Sequence, residues 1–483
     1  MKRKEFFKTG LAAGIGSLIP FNRRHISPAK SQKARNIIFF AYDGFSWEDF
    51  SSAQHYSIRN FGRPLHLQKL FQSGNGGSMA SHSLTSMVTD SSAATTAWST
   101  GRKIVNGSLS IYPDGNELTT ILELAKAEGK ATGIVTTTRI THATPAGWIA
   151  KHLNRRAEEE IADQFANFRA DVMIGGGTRV FDHTRRSDGK DLFRPFIDAG
   201  YTVVTDPDKL ASAGGSKLLA TLNNTHIPYE IDRKFRGVKA PSLLEMSRKG
   251  VEVLNNAENG FVLHIEAGRI DHANHRNDAG TSLWETLAAD ETLGMLMDYT
   301  DRTPGTLLIM ASDHATGGPC VYGVGERYRA SSEIHEMLKQ RTASFDWIMD
   351  QLDENPSEAM IKDVIEDATR IRVTSPQALM LQKAIAGDIE MPDHAAFPRQ
   401  PIATIHHILK GGTNDEPTRL NINYATTQHT AGAVPAALYG NNVETKPFGL
   451  IDNTDLFTIM TDTLGIDYRN PEMSAEKALE FYR

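Results

Sequence analysis

Between residues 35 and 313 the chain repeats one pattern, a short and mostly apolar run followed by a stretch with helical spacing. The first run, Asn36-Ile37-Ile38-Phe39-Phe40-Ala41-Tyr42, ends on Asp43-Gly44, and others follow at Ala131–Thr137, Ala170–Gly177, Gly260–Gly268 and Gly305–Asp313. Segments such as Leu118–Glu128 and Leu243–Asn255 space their apolar residues as a helix does. A strand that is apolar at nearly every position must be covered on both faces, whereas a half-exposed strand alternates apolar and polar residues. Such strands alternating with helices predict an α/β fold, a three-layer sandwich around one large, mostly parallel sheet. The 483 residues exceed the usual size of one domain. One such sheet can nevertheless organise several hundred residues, so 35–483 reads as a single domain.

Two stretches depart from the pattern. Residues 321–409 are rich in Glu, Met, Lys and Ala, with helical runs at Ser332–Gln340 and Phe345–Leu352. They read as a mostly helical insertion that caps the sheet. Its adjacent histidines, His406 and His407, read as a surface or core pair rather than metal ligands. Residues 1–30 read as an export signal, with Lys2, Arg3, Lys4 and Lys8 preceding the short apolar run Gly10–Phe21. The start Arg3-Lys4-Glu5-Phe6-Phe7-Lys8 resembles a twin-arginine signal with Lys for the second Arg, so a periplasmic or extracellular destination is expected. The apolar run is too short to span a bilayer, and no other segment reads as a membrane helix. The single cysteine, Cys320, excludes an intramolecular disulfide and a cysteine-based zinc site. A net charge of −6 without a basic stripe gives no reason to expect a nucleic-acid partner.

In parallel sheets, ligands bind beyond the carboxyl ends of the strands. Asp43, Glu266, Asp313 and His314 all fall at or just past such ends. In Val88-Thr89-Asp90-Ser91-Ser92-Ala93-Ala94, Asp90 or Ser91 reads as the N-cap of a small-residue helix. A serine there lies among backbone N–H groups that favour a bound phosphate. Its hydroxyl is a weak nucleophile until a base or a metal activates it. Asp271 and His275 stand four apart, so one helical turn puts both on one face. Carboxylate and imidazole are the usual ligands of a catalytic zinc. Asp313-His314 precede Ala315-Thr316-Gly317-Gly318, and a lone His429 sits in Gln428-His429-Thr430-Ala431-Gly432. Thr141-His142-Ala143-Thr144 follows another strand, with Asn154-Arg155-Arg156 beyond it. Arginine suits phosphate because its planar fork makes two parallel charge-assisted hydrogen bonds. Taken singly, each segment has an ordinary structural reading: an acidic turn, a structural histidine, a solvated basic face.

Together and in this order, the segments resemble the alkaline phosphatases, from about Asn36 to Asp313-His314 and again around His429. The Asp90-Ser91-Ser92-Ala93 segment ending in Ala97-Trp98-Ser99-Thr100-Gly101 and the run from Glu266 to His275 carry the resemblance most specifically. It implies phosphate monoesters as substrates, Ser91 as nucleophile, and two zinc ions with one magnesium ion. Asp271, His275 and His429 would hold one zinc. Asp43, Asp313 and His314 would hold the second, which Ser91 also approaches. Asp43, Thr144 and Glu266 would hold the magnesium. Arg155, eleven residues after Thr144 as the family's pattern asks, would bind the phosphate oxygens, with Asp90 orienting it. A homodimer is suggested on the same ground. Some bacterial members carry Asp and Lys where this chain has His142 and His272, and the two-histidine pattern is closer to the animal enzymes. Both histidines are expected just behind the ligands of the third ion. Ser92 beside the nucleophile reads as packing.

Rival readings fail on particular residues. A sulfatase of the same superfamily needs a Cys/Ser-x-Pro-x-Arg context, and Ser91 is followed by Ser92-Ala93-Ala94-Thr95. A superfamily phosphodiesterase typically uses Thr as nucleophile and lacks the equivalents of Thr144 and Glu266. A non-catalytic metal- or phosphate-binding protein would have no need to keep Ser91 and every ligand intact.

Overall fold

The computed structural model describes residues 33–323, 328–388, 401–410, 421–441, 443, 445 and 447–482. The expected export signal lies outside the described residues. Among the described residues, fourteen strands occur in chain order: β1 (Asn36–Tyr42), β2 (Gly76–Ala80), β3 (Ala131–Arg139), β4 (Val172–Gly176), β5 (Thr202–Val204), β6 (Leu218–Thr221), β7 (Phe261–Ala267), β8 (Thr306–Ser312), β9 (Ala315–Thr316), β10 (Pro319–Val321), β11 (Ile422–Tyr424), β12 (His429–Thr430), β13 (Val434–Asn441) and β14 (Leu450–Asp452). Ten of them form the central sheet, in the order β14-β2-β13-β8-β1-β7-β3-β4-β6-β5. Only β13 runs against the others, pairing antiparallel with both β8 and β2.

Every residue of β1, β7 and β8 is buried. Successive side chains of a strand point to opposite faces, so β1 sends Ile38, Phe40 and Tyr42 into one apolar layer and Ile37, Phe39 and Ala41 into the other. The first layer is closed by helices Trp47–Phe61, Leu243–Leu254 and Ala279–Arg302, the second by Ser91–Thr100, Ile121–Ala127, Glu158–Phe168 and Asp455–Leu464. The apolar runs thus become strands because both faces are covered.

The region expected to be mostly helical carries helices Ile334–Lys339, Phe345–Asp350, Glu358–Thr369, Ser375–Ala386 and Pro401–Lys410. Its Ile334, Phe345, Ile348, Ile361 and Ile405 join the first layer's apolar core. His406 is fully buried against the Tyr424 ring. No helix among the described residues is long and apolar enough to cross a membrane.

Register decides where the chemistry collects. Tyr42 at the end of β1 pairs with Ala267 of β7 and with Ser312 of β8. Asp43, Glu266 and Asp313 therefore lie within one residue of the same level, at the carboxyl edge of three adjacent central strands.

Candidate active site

Asp43, Glu266, Asp271 and Asp313 converge at this edge, all buried. The approach is close because residue 44 is glycine. Gly44 has φ +71°, and a Cβ there would lie 2.5 Å from the Asp271 Cα. Four carboxylates buried from bulk solvent repel one another, and the groups respond unequally. Burial, and then the Asp313 carboxylate, push Asp43 well above the usual carboxylate range. Burial pushes Glu266 up to about 7, against the hydroxyl hydrogen bonds from Thr136 and Thr138. Burial also works against ionisation of Asp271, but the imidazoles of His275 and His429 hold it well below the usual range.

The histidines have their tautomers fixed. His275 Nδ1 donates to the Thr427 carbonyl at 2.5 Å, and His429 Nδ1 donates to the Thr89 carbonyl at 2.9 Å. A carbonyl can only accept, so both Nε2 atoms carry lone pairs. Those two Nε2 atoms face each other at 3.1 Å. Thr316 gives its single hydroxyl proton to Asp271 Oδ1 at 2.6 Å, so its oxygen accepts from His314 Nδ1 at 3.2 Å. His314 therefore also presents an Nε2 lone pair. Three imidazole lone pairs beside carboxylates are a donor set for a cation. His429 reaches the site because β12 pairs antiparallel with β9, with His429 opposite Thr316, two residues past His314.

Ligand atoms of three groups lie within 4.8 Å of one another: Asp271, His314 and His429; Asp43, Asp313 and His314; and Asp43, His142 and Glu266. Asp43 is shared, as expected. Two details differ from expectation. His314 stands between the first two groups, its ring stacked on His429 at 3.6 Å between centroids, while His275 Nε2 lies 3.3 Å from Asp271. His142, expected behind the third ion, brings a ring nitrogen within ligand reach of Asp43 and Glu266. Thr144 donates to Asp43 Oδ2 at 3.1 Å. Asp43 Oδ1, Glu266 Oε1, Asp313 Oδ2 and His142 Nδ1 are buried without a hydrogen-bond partner. Such atoms are costly unless a ligand occupies them. The donor set thus fits divalent metals.

Ser91 begins helix Ser91–Thr100, with Asp90 as N-cap accepting from the Ala93 N–H at 2.9 Å. Small side chains let all ten residues of this helix be buried. Thr95 and Ser99 donate to the carbonyls of Thr144 and Gly147, tying the helix to the turn that carries Thr144. Ser91 Oγ lies 3.1 Å from His314 Nε2. Because that nitrogen carries a lone pair, the hydroxyl is the donor. At the half-buried rim, Arg155 Nη1 donates to Asp90 Oδ2 at 2.9 Å, whereas Arg156 is exposed.

Ser92 corrects the sequence reading. Its hydroxyl does not merely pack but donates to the Asp90 carboxylate, 2.8 Å from Oδ1 and 2.7 Å from Oδ2. Other supporting residues escaped sequence reasoning. Thr136 and Thr138 donate to Glu266 Oε2, and Thr316 joins Asp271 to His314. His226 packs edge-on against His142 and His272, and accepts a hydrogen bond from Arg139. Arg269 Nη1 donates to His272 Nδ1 at 2.7 Å. The run Thr136-Thr137-Thr138 at a strand end was the one available signal, since hydroxyls there have carboxylates to meet.

Comparisons with known proteins agree with this geometry. The alkaline phosphatase family profile matches residues 34–466. Alkaline phosphatase 4 of Bacillus subtilis is 29% identical over 463 residues, covering 93% of this chain and 94% of that protein. Alkaline phosphatase 3 of the same organism is 32% identical over 377 residues, 76% of this chain and 75% of that protein. The crystal structure of Thermus thermophilus alkaline phosphatase superposes with a TM-score of 0.91 at 42% identity, covering 96% of this chain and 99% of that one. The carboxylate and imidazole cluster, the capped serine helix and the match across most of the chain have one conclusion: this chain belongs to the alkaline phosphatase family.

Proposed function

We propose that this alkaline phosphatase hydrolyses phosphate monoesters to an alcohol and inorganic phosphate through a phosphoserine formed at Ser91. The observation that carries the proposal is the Ser91 hydroxyl, at a helix N-terminus and 3.1 Å from His314 Nε2, the ligand atom that would hold a metal ion beside it. Phosphoryl transfer spreads charge over the phosphate oxygens, so its catalysis is mostly positioning and electrostatic stabilisation. The free N–H groups at the start of helix Ser91–Thr100 would supply part of that stabilisation. Arg155 would clamp two phosphate oxygens, held in place by Asp90.

Two zinc ions and one magnesium ion are the reading the donor set supports. Asp271, His275 and His429 would hold one zinc. Asp43, Asp313 and His314 would hold the other, beside Ser91. Asp43, Thr144 and Glu266 would hold magnesium, with His142 near enough to join and His272 behind it. When bound, the zinc pair would stabilise the attacking and leaving oxygens of an in-line displacement. Residues 1–30 are proposed to direct export, and a homodimer is the proposed assembly.

The test is metal-dependent hydrolysis of p-nitrophenyl phosphate against bis-p-nitrophenyl phosphate. Preference for the monoester, abolished by chelator and restored by zinc with magnesium, supports the proposal. Preference for the diester contradicts it.

A further inference from the structure

Arg155 is held at two points. Its side chain donates to Asp90 Oδ2 at 2.9 Å, and its backbone N–H donates to the Gly107 carbonyl at 2.8 Å. Ser92 touches both anchors. Its hydroxyl donates to the Asp90 carboxylate at 2.7–2.8 Å and accepts from the Gly107 N–H at 3.2 Å. The same Gly107 N–H also reaches Asp90 Oδ2 at 2.9 Å. Ser92 is fully buried, so water does not compete for these bonds.

We propose that Ser92 is a positioning residue for Arg155, joining the carboxylate and the backbone segment that fix where the guanidinium stands. The inference rests on the reading of Arg155 as the phosphate-binding residue. Asp90 Oδ2 receives Arg155, Gly107 and Ser92 together. With the hydroxyl removed, fewer donors share the carboxylate, and its pull on Arg155 strengthens. Asp90 and Gly107 are then left with only their direct bond, from the Gly107 N–H to Oδ2, and lose the second contact through the hydroxyl. Both changes move Arg155 away from the position in which it meets phosphate. Neither touches the Ser91 hydroxyl, so the effect belongs to binding more than to turnover.

The experiment is calorimetric titration of inorganic phosphate into the metal-loaded enzyme, for wild type, Ser92→Ala, Arg155→Ala and the double variant. Ser92→Ala is expected to weaken phosphate by about threefold to tenfold, the range of one buried hydrogen bond. KM for a monoester should rise by the same factor, with a smaller change in kcat. In the Arg155→Ala background, removing the hydroxyl should change nothing further, because a double-mutant cycle isolates the coupling. Ser92→Cys keeps the volume but weakens the donor, and should follow Ser92→Ala. An equal loss with and without Arg155, no loss at all, or wild-type affinity in Ser92→Cys overturns the proposal. If Arg155→Ala alone leaves phosphate affinity unchanged, the assignment of Arg155 fails and the proposal falls with it.

Discussion

The pocket of Asp271, His275 and His429 and the pocket of Asp43, Glu266 and His142 adjoin at the carboxyl edge of the sheet and are finished differently. In the first, the Nδ1–H groups of His275 and His429 are spent on backbone carbonyls, and that of neighbouring His314 on a threonine oxygen. Every Nε2 lone pair therefore points inward. In the second, carboxylates and a hydroxyl dominate, and the one imidazole, His142, has a buried Nδ1 with no partner. Burial, and then Arg155, hold the His142 pKa well below the ordinary histidine value. The first pocket has its ligand atoms chosen by the fold, which suits zinc. The second mixes hard oxygens with one loosely held nitrogen, so its ion is open to competition between magnesium and zinc.

The sharpest way to break this contrast is His429→Ala. It is expected to lose one zinc per chain by elemental analysis and to lower the hydrolysis rate by more than about a hundredfold, beyond the usual effect of losing an outer partner. Retained zinc in that variant would remove His429 from the ligand set.

Thr316→Val should act less strongly. It deletes the hydroxyl that holds both Asp271 and His314, and outer partners typically carry about tenfold to hundredfold in metal affinity. Zinc-buffered titration reads this directly, and unchanged affinity would mean that the Nε2 lone pairs need no such holding.

The pocket of Asp43, Glu266 and His142 gives the smallest effect. At fixed zinc, His142→Asp is expected to lower the magnesium concentration for half-maximal rate by about tenfold, since a carboxylate anchors a hard, hydrated cation. A half-saturating concentration that stays the same would show that His142 does not tune this pocket.

The contrast also separates what the sequence made legible from what it did not. The central strands were legible because burial on both faces leaves unbroken apolar runs; β1, β7 and β8 fall inside the expected segments. Asp43, Asp271, His275, Asp313 and His314 were legible because strand ends and a four-residue helical spacing place them without tertiary knowledge. Strand β13, which reverses direction, was not, because an antiparallel neighbour inside a buried sheet looks like any other apolar run. Neither were β5 and β6, too short to carry a pattern. His429 was legible only through the family resemblance, since its arrival depends on the pairing of β12 with β9. The carbonyls of Thr89 and Thr427 were beyond reach, because a backbone acceptor has no residue type. Ser92 was misread for a related reason. A small residue at a helix start looks like packing until the Asp90 carboxylate is seen beneath it.

The proposed chemistry turns on Ser91 as the group that takes phosphate. The direct measurement is acid-quenched phosphoenzyme, digested and mapped by mass spectrometry in wild type, Ser91→Ala and Ser92→Ala. One phosphate is expected on Ser91, absent from Ser91→Ala together with turnover, and still present in Ser92→Ala. Phosphate on Ser92, or labelling that survives Ser91→Ala, would contradict it.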